Sequence, residues 1–401
     1  MSQYVVWYDS SETGAPALNN AAGSMIGMLE ACLVTGFNPR TLTSLSVAGG
    51  VATATFAGHG YSGIYGKDID VAGATPAALN GRKELTFVDT NTFKFAALGV
   101  PDGAASGTIT TRRSPLGWVK EFSSTNKAIF KRSDVTATVM KLRVVDDNSQ
   151  PSGPFSARAV MVESATDIDT FDAPSPNSSV ISEGLGYYWN KGQNTTAPKQ
   201  WTLIGDSKGF YFFTQSYSTI LPSNSTGDYT SSANAFFDFP SLKQGDAYNT
   251  VLTGEQSQSS GGGTSYSSTS IGSQNPGPNS GNIATLSVAR TYAQLPGPVS
   301  LGVVAPMSGG PAGNIGALPF PSPIDNGFVM AASVPFSEAC PGGYAIRGFV
   351  PGFVHFLSSF PLQHQQIIGN VAALPGRKII GLRSYANGVA TLGFDLTGPW
   401  F

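Results

Sequence analysis

Paired carboxylates are the residues in this sequence best suited to chemistry. Glycoside hydrolysis needs two of them about 5–10 Å apart, one donating a proton and one attacking or activating water. Asp167, Asp169 and Asp172 cluster in the run ATDIDTFDAP. Asp68 and Asp70 would share a strand face about 7 Å apart, from the rise per residue of an extended chain. Asp146-Asp147 is a third pair. Each also reads as a polar strand face or an Asx-turn, and that structural reading is the expectation for all three. A calcium loop needs a longer ordered run of ligands than any segment provides.

Three histidines, His59, His355 and His364, are the other acid–base candidates. No two lie four residues apart, so no helical zinc pair forms. Each is expected to be a satisfied structural histidine. The two cysteines, Cys32 and Cys340, match no metal spacing. Cys32 reads as a buried free thiol on an apolar helix face, and pairing with Cys340 stays open. There is no Gly-x-Ser-x-Gly elbow, and no phosphate-binding or dinucleotide glycine loop. Tyr187-Tyr188-Trp189, Trp201, Phe210–Phe213 and Phe236-Phe237-Phe239 are dense in aromatics. If exposed they would stack on sugars; the preferred reading is core and subunit interface. Neighbours in Phe210–Phe213 must face opposite sides of a sheet, so both faces of that strand are expected to be covered. No catalytic, cofactor-binding or metal residue is assigned, no cofactor is expected, and the chain reads as non-enzymatic.

Composition explains why chemistry is scarce. Of 401 residues only 12% are charged, against 41% hydrophobic, with 48 Gly and 27 Pro. Ordinary soluble domains carry about 25% charge. Low charge suits surfaces that become buried in an assembly, and Gly with Pro suits many strands joined by turns. The net charge is −2, with no basic stripe for a polyanion, so nucleic acid is not an expected partner. Arg112-Arg113 and Lys127–Arg132 are the most basic patches and read as solvated strand ends. No run reaches the ~20 apolar residues of a membrane span, and the start, MSQYVVWYDSSE, does not read as a signal peptide. A soluble chain made in a cytoplasm is expected, without membrane insertion. The sequons at Asn177, Asn194 and Asn224 then read as accidental.

The elements that would position these residues are mainly strands. Gln3–Tyr8 reads as a first strand. Apolar residues from Leu18 to Leu33 recur at helical spacing, with Gly36 as the stop. Hairpins are expected at Leu42–Val47/Val51–Phe56, Thr202–Ile204/Phe210–Thr214 and Lys378–Tyr385/Val389–Leu396, the last around Asn387-Gly388. Thr136–Val145 alternates well and reads as one long strand. Gln256–Asn282 is mostly Ser and Gly and reads as an exposed loop. Leu295–Pro323 is proline-rich and reads as an extended arm. The fold class expected is mainly β: β-sandwich or barrel-like domains, one N-terminal helix, an inserted small β module and long loops. The division is 1–40 with 114–250 as a main β domain, 41–113 as the inserted module, 251–325 as a Ser/Gly- and Pro-rich extended arm, and 326–401 as a C-terminal β segment completing the main domain.

Val51–Thr111 carries His59-Gly60, then Ile69–Pro76 ending Gly-Ala-Thr-Pro, then Asn80-Gly81, then Thr92-Phe93-Lys94-Phe95. This series resembles a small β module found in tailed-bacteriophage virion proteins. One departure is Gly63-Ile64-Tyr65-Gly66-Lys67 in place of the pattern's Gly-Asp before the central strand. Pro198–Phe213 and Phe394–Trp400 also resemble phage structural proteins. The resemblance implies a virion structural protein of the tail, baseplate or head–tail region, localised in the virion after synthesis in the bacterial host cytoplasm. It implies a homo-oligomer whose partners are other virion proteins. Alternatives are a tail fibre binding a host surface glycan, a capsid decoration protein, and, less favoured, a polysaccharide depolymerase.

Overall fold

The computed structural model describes residues 5–149, 155–178, 185–191, 196–215, 230–255, 284–303, 321–327, 330–332, 334–356, 362–371, 374–385 and 389–400. Among the described residues the fold is mainly β, with several sheets, one short helix near the N-terminus and no closed barrel.

Its centre is the hairpin Trp201–Gly205/Gly209–Gln215, with Leu203 opposite Phe212. Val6–Asp9 pairs on one side of this hairpin and Thr230–Asp238 on the other. Thr250–Glu255, Ala284–Arg290, Pro296–Val303, Pro335–Cys340 and Gly343–Phe349 continue the antiparallel series. Side chains alternate across a strand. Phe210 and Phe212 therefore enter one core, while Tyr211 and Phe213 enter another. All four are fully buried, as expected for a strand covered on both faces.

Each face has its own cover. The first core is closed by a meander of Val119–Ser124, Lys127–Lys131, Lys141–Val145, Ser156–Val162 and Tyr187–Asn190, which supplies Phe130, Leu142, Met161 and Trp189. The second is closed by Phe353–Phe356, Val389–Asp395, Leu374–Tyr385 and Gln366–Val371, which supply Phe353, Ile380, Leu382, Leu392 and Phe394. The flanking strands of the C-terminal hairpin are paired from Ile379↔Asp395 to Tyr385↔Val389; the Asn387-Gly388 turn lies outside the described residues.

Between Asn38 and Ser114 the chain builds a separate unit. One sheet runs Arg40–Thr41, Thr110–Arg113, Ile69–Ala72, Gly81–Lys83. The other runs Leu85–Val88, Thr92–Ala96, Val51–Thr55, Ser44–Ala48, Gly103–Ala104. Leu45, Val47, Ile69, Val71, Phe93 and Phe95 form a core that shares no residue with the other two.

Three expectations need correction. The helix covers only Ser24–Glu30, followed by a π-helical turn Ala31–Thr35. Leu18 is buried in the same core but lies in a bridge to Lys199. Asn19 Oδ1 accepts the Ala21 N–H at 2.9 Å, and Gly23 has φ 82°; this turn interrupts a segment whose apolar spacing merely continues toward one core. The strand expected at Thr136–Val145 is only Lys141–Val145. Upstream, Asp134 Oδ1 accepts the Thr136 N–H at 2.9 Å, and Val135 is 97% exposed. The extended arm fails at Pro296–Val303, which pairs on both edges. Pro296 opens that strand and Pro298 falls at its register shift, the positions a strand tolerates. Residues 256–282, read as a loop, lie outside the described residues.

Truncating a side chain at the shared strand tests this layering. Phe212→Ala is expected to cost about 3–5 kcal/mol of unfolding free energy in urea. Phe87→Ala, at a site 47% exposed, is expected to change it by less than about 0.5 kcal/mol.

Candidate functional site

The carboxylates of the 167–172 run are held in a turn and in ion pairs. Asp167 and Asp169 sit in the turn between Ser164–Ala165 and Phe171–Asp172. Asp167 Oδ1 accepts the N–H groups of Asp169 and Thr170, both at 2.8 Å. Asp169 takes Lys127 Nζ at 2.8 Å and Arg143 Nη2 at 2.7 Å. Asp172 Oδ2 accepts the Ser164 hydroxyl at 2.8 Å. The turn N–H of Asp169 holds the Asp167 carboxyl below its usual range, and the Lys127 hydrogen bond does the same for Asp169. A glycosidase acid needs the opposite shift. Asp147 caps its own turn through Ser149, while its neighbour Asp146 is buried against Lys191. Asp70 accepts the Ser114 hydroxyl at 2.7 Å, and Asp68 is buried beside it.

His59 packs against aromatic rings, but it is not the satisfied histidine expected, because its Nε2 is buried without a hydrogen-bond partner. Its Nδ1 accepts the Tyr61 N–H at 3.0 Å, its ring stacks on Tyr61 with centroids 5.5 Å apart, and Phe93 meets it edge-on at 5.1 Å. His355 lies in a strand opposite Ala331 and Leu392; His364 lies in the turn before Gln366–Val371. Both cysteines are free, which settles the open pairing against a disulfide. Among the described residues no three His, Cys, Asp or Glu are grouped to hold a metal. Tyr187, Tyr188, Trp189, Trp201, Phe236, Phe237 and Phe239 are all buried, so none offers a ring to a sugar.

What the structure does gather is buried charge where strands give way to loops. Arg132 Nη1 meets Asp238 Oδ1 at 2.5 Å. Its Nη2 donates to the Met140 carbonyl at 2.7 Å and the Thr138 hydroxyl at 2.8 Å, and the guanidinium lies 4.8 Å from the Phe236 ring centroid. Arg347 bonds Asp246 Oδ2 at 3.2 Å and Glu338 Oε2 at 3.0 Å, and also donates to the Arg290 carbonyl. These contacts fasten the 240–249 connection to the Pro335–Phe349 hairpin. Lys191 pairs with Asp146 and also donates to the Ala21 carbonyl and Asn148 Oδ1, each at 2.8 Å. Asp146 Oδ2 accepts the Met25 N–H at 2.8 Å, satisfying an orphan donor at the helix start.

A fourth cluster joins the small β unit to the central sheet. Lys67 Nζ lies 2.5 Å from Asp9 Oδ2 and 3.4 Å from Glu12 Oε1, over the Trp7 ring at 4.1 Å. Arg113 Nε lies 2.6 Å from Glu12 Oε2, and its Nη2 donates to the Trp7 carbonyl at 2.8 Å. Arg113 and Arg132 were both expected at solvated strand ends; both are buried. Single-sequence spacing gave no sign of this, because their partners lie about a hundred positions away.

Asp206 is the residue that sequence reasoning passed over. It occupies the turn of the central hairpin, where its Oδ1 accepts the N–H groups of Lys208 at 2.8 Å and Gly209 at 3.0 Å. Its Oδ2 is buried without a hydrogen-bond partner. Burial pushes its carboxyl up to about 7, against the turn N–H groups and the Lys208 charge, with Asp238 adding to the rise. No protein-family model matches the chain, and no curated protein matches it.

Asp206 predicts a pH dependence. Its folded-state affinity for a proton exceeds the unfolded one, so stability is greatest below the ordinary carboxylate value and falls as pH rises toward about 7. Urea unfolding from about pH 5 to about pH 8 should show this loss. Asp206→Asn should flatten the slope; an unchanged slope would rule Asp206 out as its source.

Proposed function

We propose that the chain is a structural component of a tailed-phage virion, of the tail, baseplate or head–tail region, acting by oligomeric assembly rather than by catalysis. The observation that carries this reading is how the module's motif closes on itself. Ala74 donates its N–H to Asn80 Oδ1, and Asn80 Nδ2 donates to the Ala74 carbonyl, both at 2.8 Å. The Gly-Ala-Thr-Pro strand end and the Asn-Gly turn are thereby tied together. His59 packs on Phe93, and Phe93 and Phe95 fill the unit's core. His59, Ala74, Asn80, Phe93 and Phe95 thus make turn and core contacts, as the resemblance implies.

Two further features support assembly. The carboxylates and aromatics best suited to chemistry are spent on turns, ion pairs and core. Buried bases, Lys67, Arg113, Arg132, Lys191 and Arg347 among them, take charge away from a surface already poor in it. Such a surface carries little of the like-charge repulsion that keeps proteins apart, and symmetric copies of one chain are the usual outcome.

The test is to purify intact particles and identify this chain by mass spectrometry and density. A fixed stoichiometry per particle and a symmetric density position in the tail or at its junctions are expected. Absence from purified particles would overturn the reading, and a position spread over the capsid lattice would make it a decoration protein.

A further inference from the structure

We propose that the unit of residues 41–113 is a hinged body, held against the sandwich by a buried two-acid, two-base clasp that acid opens while both bodies stay folded. The clasp acids, Asp9 and Glu12, belong to the sandwich; the bases, Lys67 and Arg113, belong to the unit. Their side chains are 2–7% exposed. The charges sum to zero only when the two bodies are together.

The remaining contacts across the boundary are hydrogen bonds and ring contacts. Trp7 donates its N–H to the Gly66 carbonyl at 3.1 Å and its Nε1–H to the Tyr65 carbonyl at 2.8 Å. Tyr65 also packs against the second core, with Lys378 Nζ 3.7 Å from its ring centroid. Arg82 Nη2 donates to the Pro115 carbonyl at the connection. Each body keeps its own apolar core, and the chain passes between them only twice. Separation exposes the Trp7 and Tyr65 rings, whereas unfolding either body exposes a whole core.

The sign of the pH effect follows from the groups around the clasp. Burial pushes the Asp9 carboxyl up, but the Lys67 charge and hydrogen bonds from Lys67 and Ser11 outweigh it and hold it below its usual value. Its contribution is therefore present above the ordinary carboxylate value and is lost as pH falls through the lowered one. Protonating Asp9 leaves the buried Lys67 cation short of counter-charge, a costly state. Tyr8 and Cys32 face Glu12 and Arg113 from the sandwich, and burial pushes both up, so they stay neutral in acid. From the unit, Arg82, Glu84, Asp70 and Arg113 surround Asp68, which burial pushes up to about 6. Arg112 faces Asp70 at 3.7 Å. Asp68 protonates first, and its raised value makes that step stabilising. Asp395 faces Tyr65 from the C-terminal layer. The strands beside the Arg132–Asp238 and Arg347–Asp246 pairs are held by the large cores.

Hydrogen–deuterium exchange on the full chain tests this, with rates corrected for intrinsic pH dependence. Between about pH 7 and about pH 3, two boundary segments, the Trp7 amide that bonds the Gly66 carbonyl and residues 63–68, should lose at least about tenfold in protection. Segments 92–96 and 209–215, in the two bodies' cores, should keep theirs. Simultaneous loss in all four segments would overturn the proposal, as would unchanged protection of the first two. Glu12→Gln should open the same two segments at neutral pH with core protection retained. If that variant does not fold, the acid series on the native chain still decides.

Discussion

The fold depends on one strand with no solvent face. Gly209–Gln215 places Phe210 and Phe212 in one core and Tyr211 and Phe213 in the other. A sheet with one wet face could float on a single core. This one must be covered twice, and the covers come from distant parts of the chain, the 119–190 meander and the C-terminal hairpin. Close approach is built into it. A Cβ on Gly209 would sit 2.2 Å from the Phe237 Cβ, so the hairpin can pack so tightly only with glycine there.

Double coverage also creates the buried charges. Where three layers end, the loops between strands cannot all reach water, and their carbonyls and N–H groups need partners. Arginine answers this with several donors in a fixed fork. Arg132 satisfies Met140 and Thr138 while pairing with Asp238. Arg347 does the same for Arg290 while pairing with Asp246 and Glu338. The desolvation cost of such pairs is high, so they specify which loop lies where more than they add stability. Asp206 has no such counter-cation in direct contact, and its carboxyl is shifted accordingly.

Legibility in the sequence follows the range of the determining interaction. The hairpins at 44–55, 201–215 and 374–395 were readable because turn chemistry and alternation are local. The double burial of Phe210–Phe213 was readable because four consecutive aromatics cannot share one face. The helix start was misjudged because Leu18 serves the same core from a bridge, which spacing alone does not distinguish from a helical turn. Residues 136–140 looked like strand because Val135 and Val139 alternate with polar neighbours, yet both point outward from a loop folded around Arg132. Arg112-Arg113 reads as one basic patch, but only Arg112 is at the surface; the burial of Arg113 is set by Glu12, which is 101 positions away.

The same contrast of ranges explains how the 41–113 unit is joined. Its motif contacts are short in sequence, such as Ala74 with Asn80, so it can complete its own core from local information. Three of the residues that join it to the sandwich lie where it departs from the pattern it resembles. Tyr65, Gly66 and Lys67 take the Trp7 indole, the Trp7 amide and the Asp9 carboxylate. A Gly-Asp pair in their place would supply neither the cation for Asp9 nor the aromatic ring for the second core. Docking is thus written in Tyr65, Gly66, Lys67, Arg82 and Arg113 of a module that otherwise completes its own core.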